Sequence, residues 1–220
     1  MRVSKALLCA GGAASAAWSF LVVIGVLNPV LSQAPDLLQP KQHLTIDRPG
    51  LLSDAESIAL YENIRKQMHA GYALARLPDI ARFGEWRRYN SAPYVSATHG
   101  QRYVNNYANG IARNYGRYEE SGPLPVGSIL AKDSFTVIRG GDVFAGALFL
   151  MEKMPAGFNA ASHDWRYTMI MPDGSFFGTT KGEGSERVGF CITCHEAVPE
   201  EHYQMFFVPE AYRVQRLNPQ

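Results

Sequence analysis

Gly127-Ser128-Ile129-Leu130-Ala131-Lys132-Asp133-Ser134-Phe135-Thr136-Val137 reads as a β-strand, because β-branched and aromatic residues fill it and Pro125 and Gly127 punctuate its start. The same texture runs outward from it. Tyr103 to Tyr107 precedes it, and Val143 to Met151 and Trp165 to Met171 follow, with Gly and Pro between the runs. Met171-Pro172-Asp173-Gly174-Ser175 has the chemistry of a tight turn joining the last run to Phe176-Phe177. Asn109 to Tyr118 is expected to be a helix between the first two strands. Short strands joined by turns predict an antiparallel sheet, and with packing helices the class is α+β.

Upstream, Ser53 and Glu56 have the spacing of a capping box. Ile58, Tyr61, Ile64, Met68 and Tyr72 then recur at helical spacing, an apolar stripe suited to the core or to a partner face. Pro78 and the run Arg82 to Arg88 follow. Arg87 and Arg88 read as a solvated turn in preference to an anion clamp. Gln33 to Gly50, with Pro35, Pro40 and Pro49, reads as a linker.

The N-terminus has a short basic head, Arg2 and Lys5, and then no charged residue from Ala6 to Leu27. That run exceeds the usual signal core of about 7 to 15 residues and approaches the ~20 that span a bilayer. Residues 1–32 are therefore an export signal or a membrane anchor, with cleavage before Gln33 and retention both open. Cys9 reads as a small apolar residue of this segment, since Leu8 stands where a lipid-attachment site would need a small residue. The body, residues 51–220, is one domain by length. Its near-neutral balance, 21 basic against 20 acidic residues in the whole chain, argues against nucleic acid as a partner.

Near the C-terminus stands Cys191-Ile192-Thr193-Cys194-His195. Two thiols three positions apart can add to the two vinyl groups of a haem, while the next residue supplies a proximal imidazole. With 3 Cys and 6 His in 220 residues, a chance match has odds of roughly one in a thousand. A redox dithiol needs no following His, and a zinc site needs about four N/S ligands, for which no second cysteine pair is present. The motif predicts one covalently bound haem c, with Cys191, Cys194 and His195 holding it and His195 on the iron. Covalent c-type haem is attached outside the bacterial inner membrane, so motif and N-terminus agree on the periplasm, soluble or anchored.

The chain also resembles the cytochrome P-460 and beta-type cytochrome c-prime family. The resemblance covers about residues 97–213. It rests on His99-Gly100 with Arg102-Tyr103-Val104-Asn105, on Pro125 to Asp133, on Asp164-Trp165-Arg166-Tyr167, and on the terminal Cys-Ile-Thr-Cys-His. It implies an antiparallel sheet with packing helices, a homodimer, and a haem with an open distal side. Lys132 matches the lysine that one branch of the family joins covalently to the porphyrin edge. Glu186, with Glu183 as alternative, is the nearest match to a carboxylate proposed as proton acceptor, and Arg102 to a donor toward a distal ligand. These imply redox conversion of hydroxylamine or nitric oxide at a five-coordinate iron, with a redox protein as partner. Nitric oxide binding without the crosslink, and six-coordinate electron transfer within a membrane complex, remain open beside it.

Phe135, Phe149, Tyr167, Phe176 and Phe190 are candidates for the walls of such a pocket. Met169, Met171, Met205, His163 and His202 are chemically competent as a sixth ligand. His99 reads as ordering the turn before Gly100 through its ring nitrogens.

Overall fold

The computed structural model describes His43 and residues 49–215. The signal or anchor segment 1–32 and most of the linker lie outside the described residues. Among the described residues no helix is long and apolar enough to cross a membrane.

Helix α1 (Asp54–Ala73) begins at the expected capping box. Glu56 N donates to Ser53 Oγ at 3.4 Å and Ser53 N donates to Glu56 Oε2 at 2.8 Å, satisfying two donors that a helix start leaves bare. Tyr61, Met68 and Tyr72 of the stripe are buried and Ile64 packs beside them. Ile58 instead points outward, and Ser57 takes the inner position, its hydroxyl donating to Asp54 O. A short helix α2 (Pro78–Arg82) follows.

Eight strands then form one antiparallel sheet: β1 (Arg87–Arg88), β2 (Tyr94–Ser96), β3 (Arg102–Ala108), β4 (Ile129–Val137), β5 (Val143–Ala145), β6 (Leu148–Lys153), β7 (Trp165–Ile170) and β8 (Phe176–Thr179). The order is β1-β3-β4-β6-β7-β8, with β2 also on β3 and β5 also on β4. Helix α3 (Gly189–Glu196) carries the Cys-Ile-Thr-Cys-His motif after the last strand.

The two-residue side-chain period makes the sheet a partition. Tyr103, Tyr107, Ala131, Phe135 and Leu148 pack with Tyr61, Met68 and Tyr72 of α1. Val104, Leu130, Trp165 and Tyr167 pack in a second core with Tyr115, Tyr118, Met205 and Val208. Phe135 and Phe176 belong to the first core, so neither faces α3.

Four local expectations are corrected. Asn109 to Tyr118 is not an α-helix: a tight helical turn runs over Arg113–Glu120 and breaks at Tyr118, at φ 55° and ψ −125°. Tyr118 is fully buried and its hydroxyl donates to Val214 O at 2.9 Å, a tertiary anchor that outweighs local helix preference. Val143 to Met151 is two strands, because Phe135↔Ala145 and Lys132↔Phe149 differ in register by one residue. The extra residue is a bulge at Gly146-Ala147, closed by Gly146 N donating to Ser134 O at 2.7 Å. Arg87 and Arg88 form an edge strand on Tyr107 and Ala108 in place of a turn. The linker's last residues dock on the domain, with Pro49 bridged to Ile138 and Gly50 N donating to Val137 O at 2.6 Å.

Candidate functional site

On the sheet face away from α1, Lys132 pairs with Phe149 and Leu130 with Met151, while Phe149 pairs with Met169 and Met151 with Tyr167. These six side chains share one face and floor a cleft with about 680 Å³ of empty space. Helix α3, Phe206, His99 and His43 complete it, with His43 against Phe190 of α3.

Helical geometry explains what α3 contributes. Cys191, Cys194 and His195 stand at i, i+3 and i+4, one face of the helix, and all three line the cleft. Both cysteines are free thiols, Cys191 half-buried and Cys194 exposed. Burial pushes the Cys191 thiol up to about 12, so it stays protonated.

His195 is buried between Tyr167 and Phe206, at ring-centre distances of 5.0 and 4.9 Å. Its Nδ1 lies 2.7 Å from the backbone carbonyl of Gln204. A carbonyl only accepts, so Nδ1 carries the proton and Nε2 keeps its lone pair. Burial lowers the imidazole to about 3, with Lys132 and His43 acting the same way, so the ring is neutral. A neutral imidazole whose other nitrogen is fixed by a carbonyl has the form of a metal ligand.

Lys132 reaches the cleft from the floor. Desolvation lowers its amine to about 8, and the ammonium lies 5.9 Å from the centre of the Phe206 ring. Arg102 is half-buried beside the cleft and its Nη1 donates to His99 O at 3.2 Å. Glu186 is not brought in. It is exposed on the turn Ser185–Val188, 3.6 Å from Arg187 Nε, and does not line the cleft. Glu183 is exposed too, its backbone carbonyl accepting from Thr179 N.

Neither a comparison with protein-family models nor one with curated proteins finds a match to this chain.

Of the aromatic residues named from the sequence, Phe149, Tyr167 and Phe190 line the cleft. Of the candidate sixth ligands only Met169 does; Met205 is buried in the second core, His163 is exposed, and His202 packs edge-on against Phe207. Sequence reasoning missed His43. Its ring stacks on His99 at 5.0 Å and meets Phe149 and Phe190 edge-on at 4.8 and 4.7 Å. A histidine in a Pro-containing linker carried no signal.

The residues present fit a porphyrin held at its edge by two thiols. The cleft is apolar-walled, and Cys191, Cys194 and His195, whose Nε2 is unprotonated, all line it. Among the described residues no three His, Cys, Asp or Glu side chains cluster closely enough to hold a bare metal ion.

Proposed function

We propose that this chain is an exported mono-haem c-type cytochrome of the cytochrome P-460 type. The observation that carries the reading is that one face of α3 turns Cys191, Cys194 and a neutral, Nδ1-anchored His195 into a single apolar cleft. Cys191 and Cys194 would hold the haem by thioether bonds and His195 Nε2 would ligate its iron. When bound, the haem supplies one-electron chemistry and an exchangeable coordination position.

The protein's part is positioning and dielectric. The Gln204 carbonyl fixes the imidazole and makes it a stronger donor. Phe149, Met151, Tyr167 and Phe206 give the cleft apolar walls, which would raise the cost of charge there and so tune the potential of the haem. The reading includes a periplasmic location, a redox protein as partner, and membrane association or homodimer formation.

Redox conversion of hydroxylamine or nitric oxide is a second reading, favoured by Lys132. Its amine lines the cleft and is partly neutral near pH 8, the form that a bond to the porphyrin edge requires. The optical spectrum of the reduced protein separates the two. A red-shifted Soret band that survives denaturation in pyridine, and vanishes in Lys132→Met, supports conversion. An ordinary c-type spectrum in both proteins excludes the crosslink.

A further inference from the structure

We propose that electrons leave this protein through the ring of Phe206, to a lysine-rich electron-carrier protein docked in the surface groove behind it. The proposal rests on the cytochrome reading above and adds to it the docking face, the route and the charge of the partner.

Phe206 is a wall with two sides. It lines the cleft, where it meets the His195 ring edge-on at 4.9 Å, and it also lines a groove walled by Ala197, Val198, Pro199, Phe207 and Pro209. The imidazole that would ligate the iron is therefore one aromatic ring away from that groove. Electron transfer weakens steeply with distance, so a carrier seated there has a short path to the haem.

The wall is fixed in place. Met205 and Val208, on either side of Phe206-Phe207, are fully buried, and the Phe206 carbonyl accepts from the Tyr115 hydroxyl at 3.0 Å. Phe206 and Phe207 are only half-buried, so both keep exposed surface. An apolar centre inside a polar rim is the build of a protein-docking patch.

The rim sets the charge of the partner. Residues 196–212 hold four glutamates and neither lysine nor arginine. All four are exposed and border the groove in sequence: Glu196 precedes Ala197, Glu200 and Glu201 lie between Pro199 and His202, and Glu210 follows Pro209. The basic side chains that line the groove are His202 and Arg213. Arg213 is neutralised by Glu119, its Nη1 donating to Oε2 at 2.9 Å and its Nη2 to Oε1 at 2.5 Å. The turn Arg113–Glu120 that supplies Glu119 is balanced, with two arginines and two glutamates. The rim's net charge is negative, so it steers a cationic surface in and turns an anionic one away. Lysine, a hydrated point charge on a flexible stem, suits exposed carboxylates in a contact that must also release.

The test uses the full chain with its haem attached. The ferrous protein is mixed in stopped flow with a ferric lysine-rich cytochrome c, and one electron passes from the first iron to the second. The second-order rate is expected to fall as salt rises, and Glu196→Lys/Glu200→Lys/Glu201→Lys to lower it about tenfold at low salt. The same charge change at exposed positions elsewhere, Asp79→Lys/Glu85→Lys/Asp142→Lys, is expected to leave it within about twofold. Phe206→Leu should slow transfer within the bound pair and keep the salt dependence. Carbodiimide coupling of the wild-type pair, followed by peptide mapping, should join Glu196, Glu200 or Glu201 to lysines of the carrier. A rate indifferent to salt, an equal loss in both triple variants, an unchanged rate in Phe206→Leu, or coupling confined to other carboxylates overturns the proposal. So does coupling of this face to a second copy of the chain. The mapping decides even if the rim variant does not fold. Haem that washes away on denaturation removes the cytochrome reading and this proposal together, whereas covalent haem with any of those results removes the proposal alone.

Discussion

His195 donates through Nδ1 to the backbone carbonyl of Gln204, 2.7 Å away and nine residues on. That bond sets the tautomer of the ring, and the chain reverses tightly to make it. Tyr203 and Gln204 are both in the left-handed region, at φ 51° and 65°. Left-handed backbone costs an L residue about 1–2 kcal/mol, and more when it is β-branched. Gln204→Val should therefore lower stability by about 1–2 kcal/mol relative to Gln204→Gly. Both changes lose the Tyr167 hydroxyl contact to Oε1 at 3.3 Å, so the comparison isolates the backbone. Thermal unfolding of the two variants checks it.

On the other sheet face a fully buried carboxylate, Asp133, is held by Asn105 Nδ2 at 3.0 Å and by the Tyr61 hydroxyl. Tyr61 also meets the Tyr107 hydroxyl at 2.5 Å, and its own ionisation is pushed far up by burial and by Asp133. Tyr61→Phe keeps the ring but leaves the carboxylate a donor short. A loss of about 1–3 kcal/mol in urea unfolding is expected, the range for a buried polar group deprived of a partner. An unchanged midpoint would mean that His69, whose Nε2 lies 3.2 Å from the carboxylate, replaces it.

Helix α1 approaches the turn at Pro172 through Gly71, where an added Cβ would sit 2.1 Å from Pro172 O. Alanine gains about 0.5–1 kcal/mol of helix preference over glycine, while a forced overlap with backbone costs typically about 1–3 kcal/mol. The overlap wins. Gly71→Ala should lower the melting temperature despite being a better helix former.

Much of this was legible in advance. The strand runs at Tyr103, Ile129 and Trp165, the Ser53 to Glu56 cap and the Met171 to Ser175 turn depend on local chemistry, and each lies where the sequence puts it. The motif's residues were legible, but the face that Cys191, Cys194 and His195 share comes from the helix Gly189–Glu196, which the sequence reading did not include. What the sequence hid is set by distant partners. The bulge at Gly146-Ala147 depends on Ser134 across the strand pair, the break at Tyr118 depends on Val214, and His43 enters the cleft from outside the strands. Phe135 and Phe149 look alike in composition, yet register sends them to opposite faces.

Lys132 gives a pH prediction with a definite sign. Its folded value, about 8, lies below the ordinary 10.5, so the folded chain holds this proton more weakly than the unfolded one. Folding stability from this group therefore rises as pH climbs from about 8 to 10.5, and below pH 8 the full cost of the enclosed charge is present. Lys132→Met should be more stable than wild type at pH 7 by on the order of 1–3 kcal/mol, with the difference shrinking by pH 10. Denaturant unfolding of the two proteins at both pH values measures it. A difference that does not vary with pH would contradict the assignment, and a lysine already bonded to porphyrin would also remove it.

The central claim is the covalent haem, and the most direct measurement is haem staining of the denatured protein on a gel, after expression with the periplasmic haem-attachment machinery. Wild type should keep its haem through denaturation, Cys191→Ala and Cys194→Ala should each retain it through one remaining thioether with an altered pyridine spectrum, and the double variant should lose it. A wild-type chain that runs free of haem under those conditions would contradict the account.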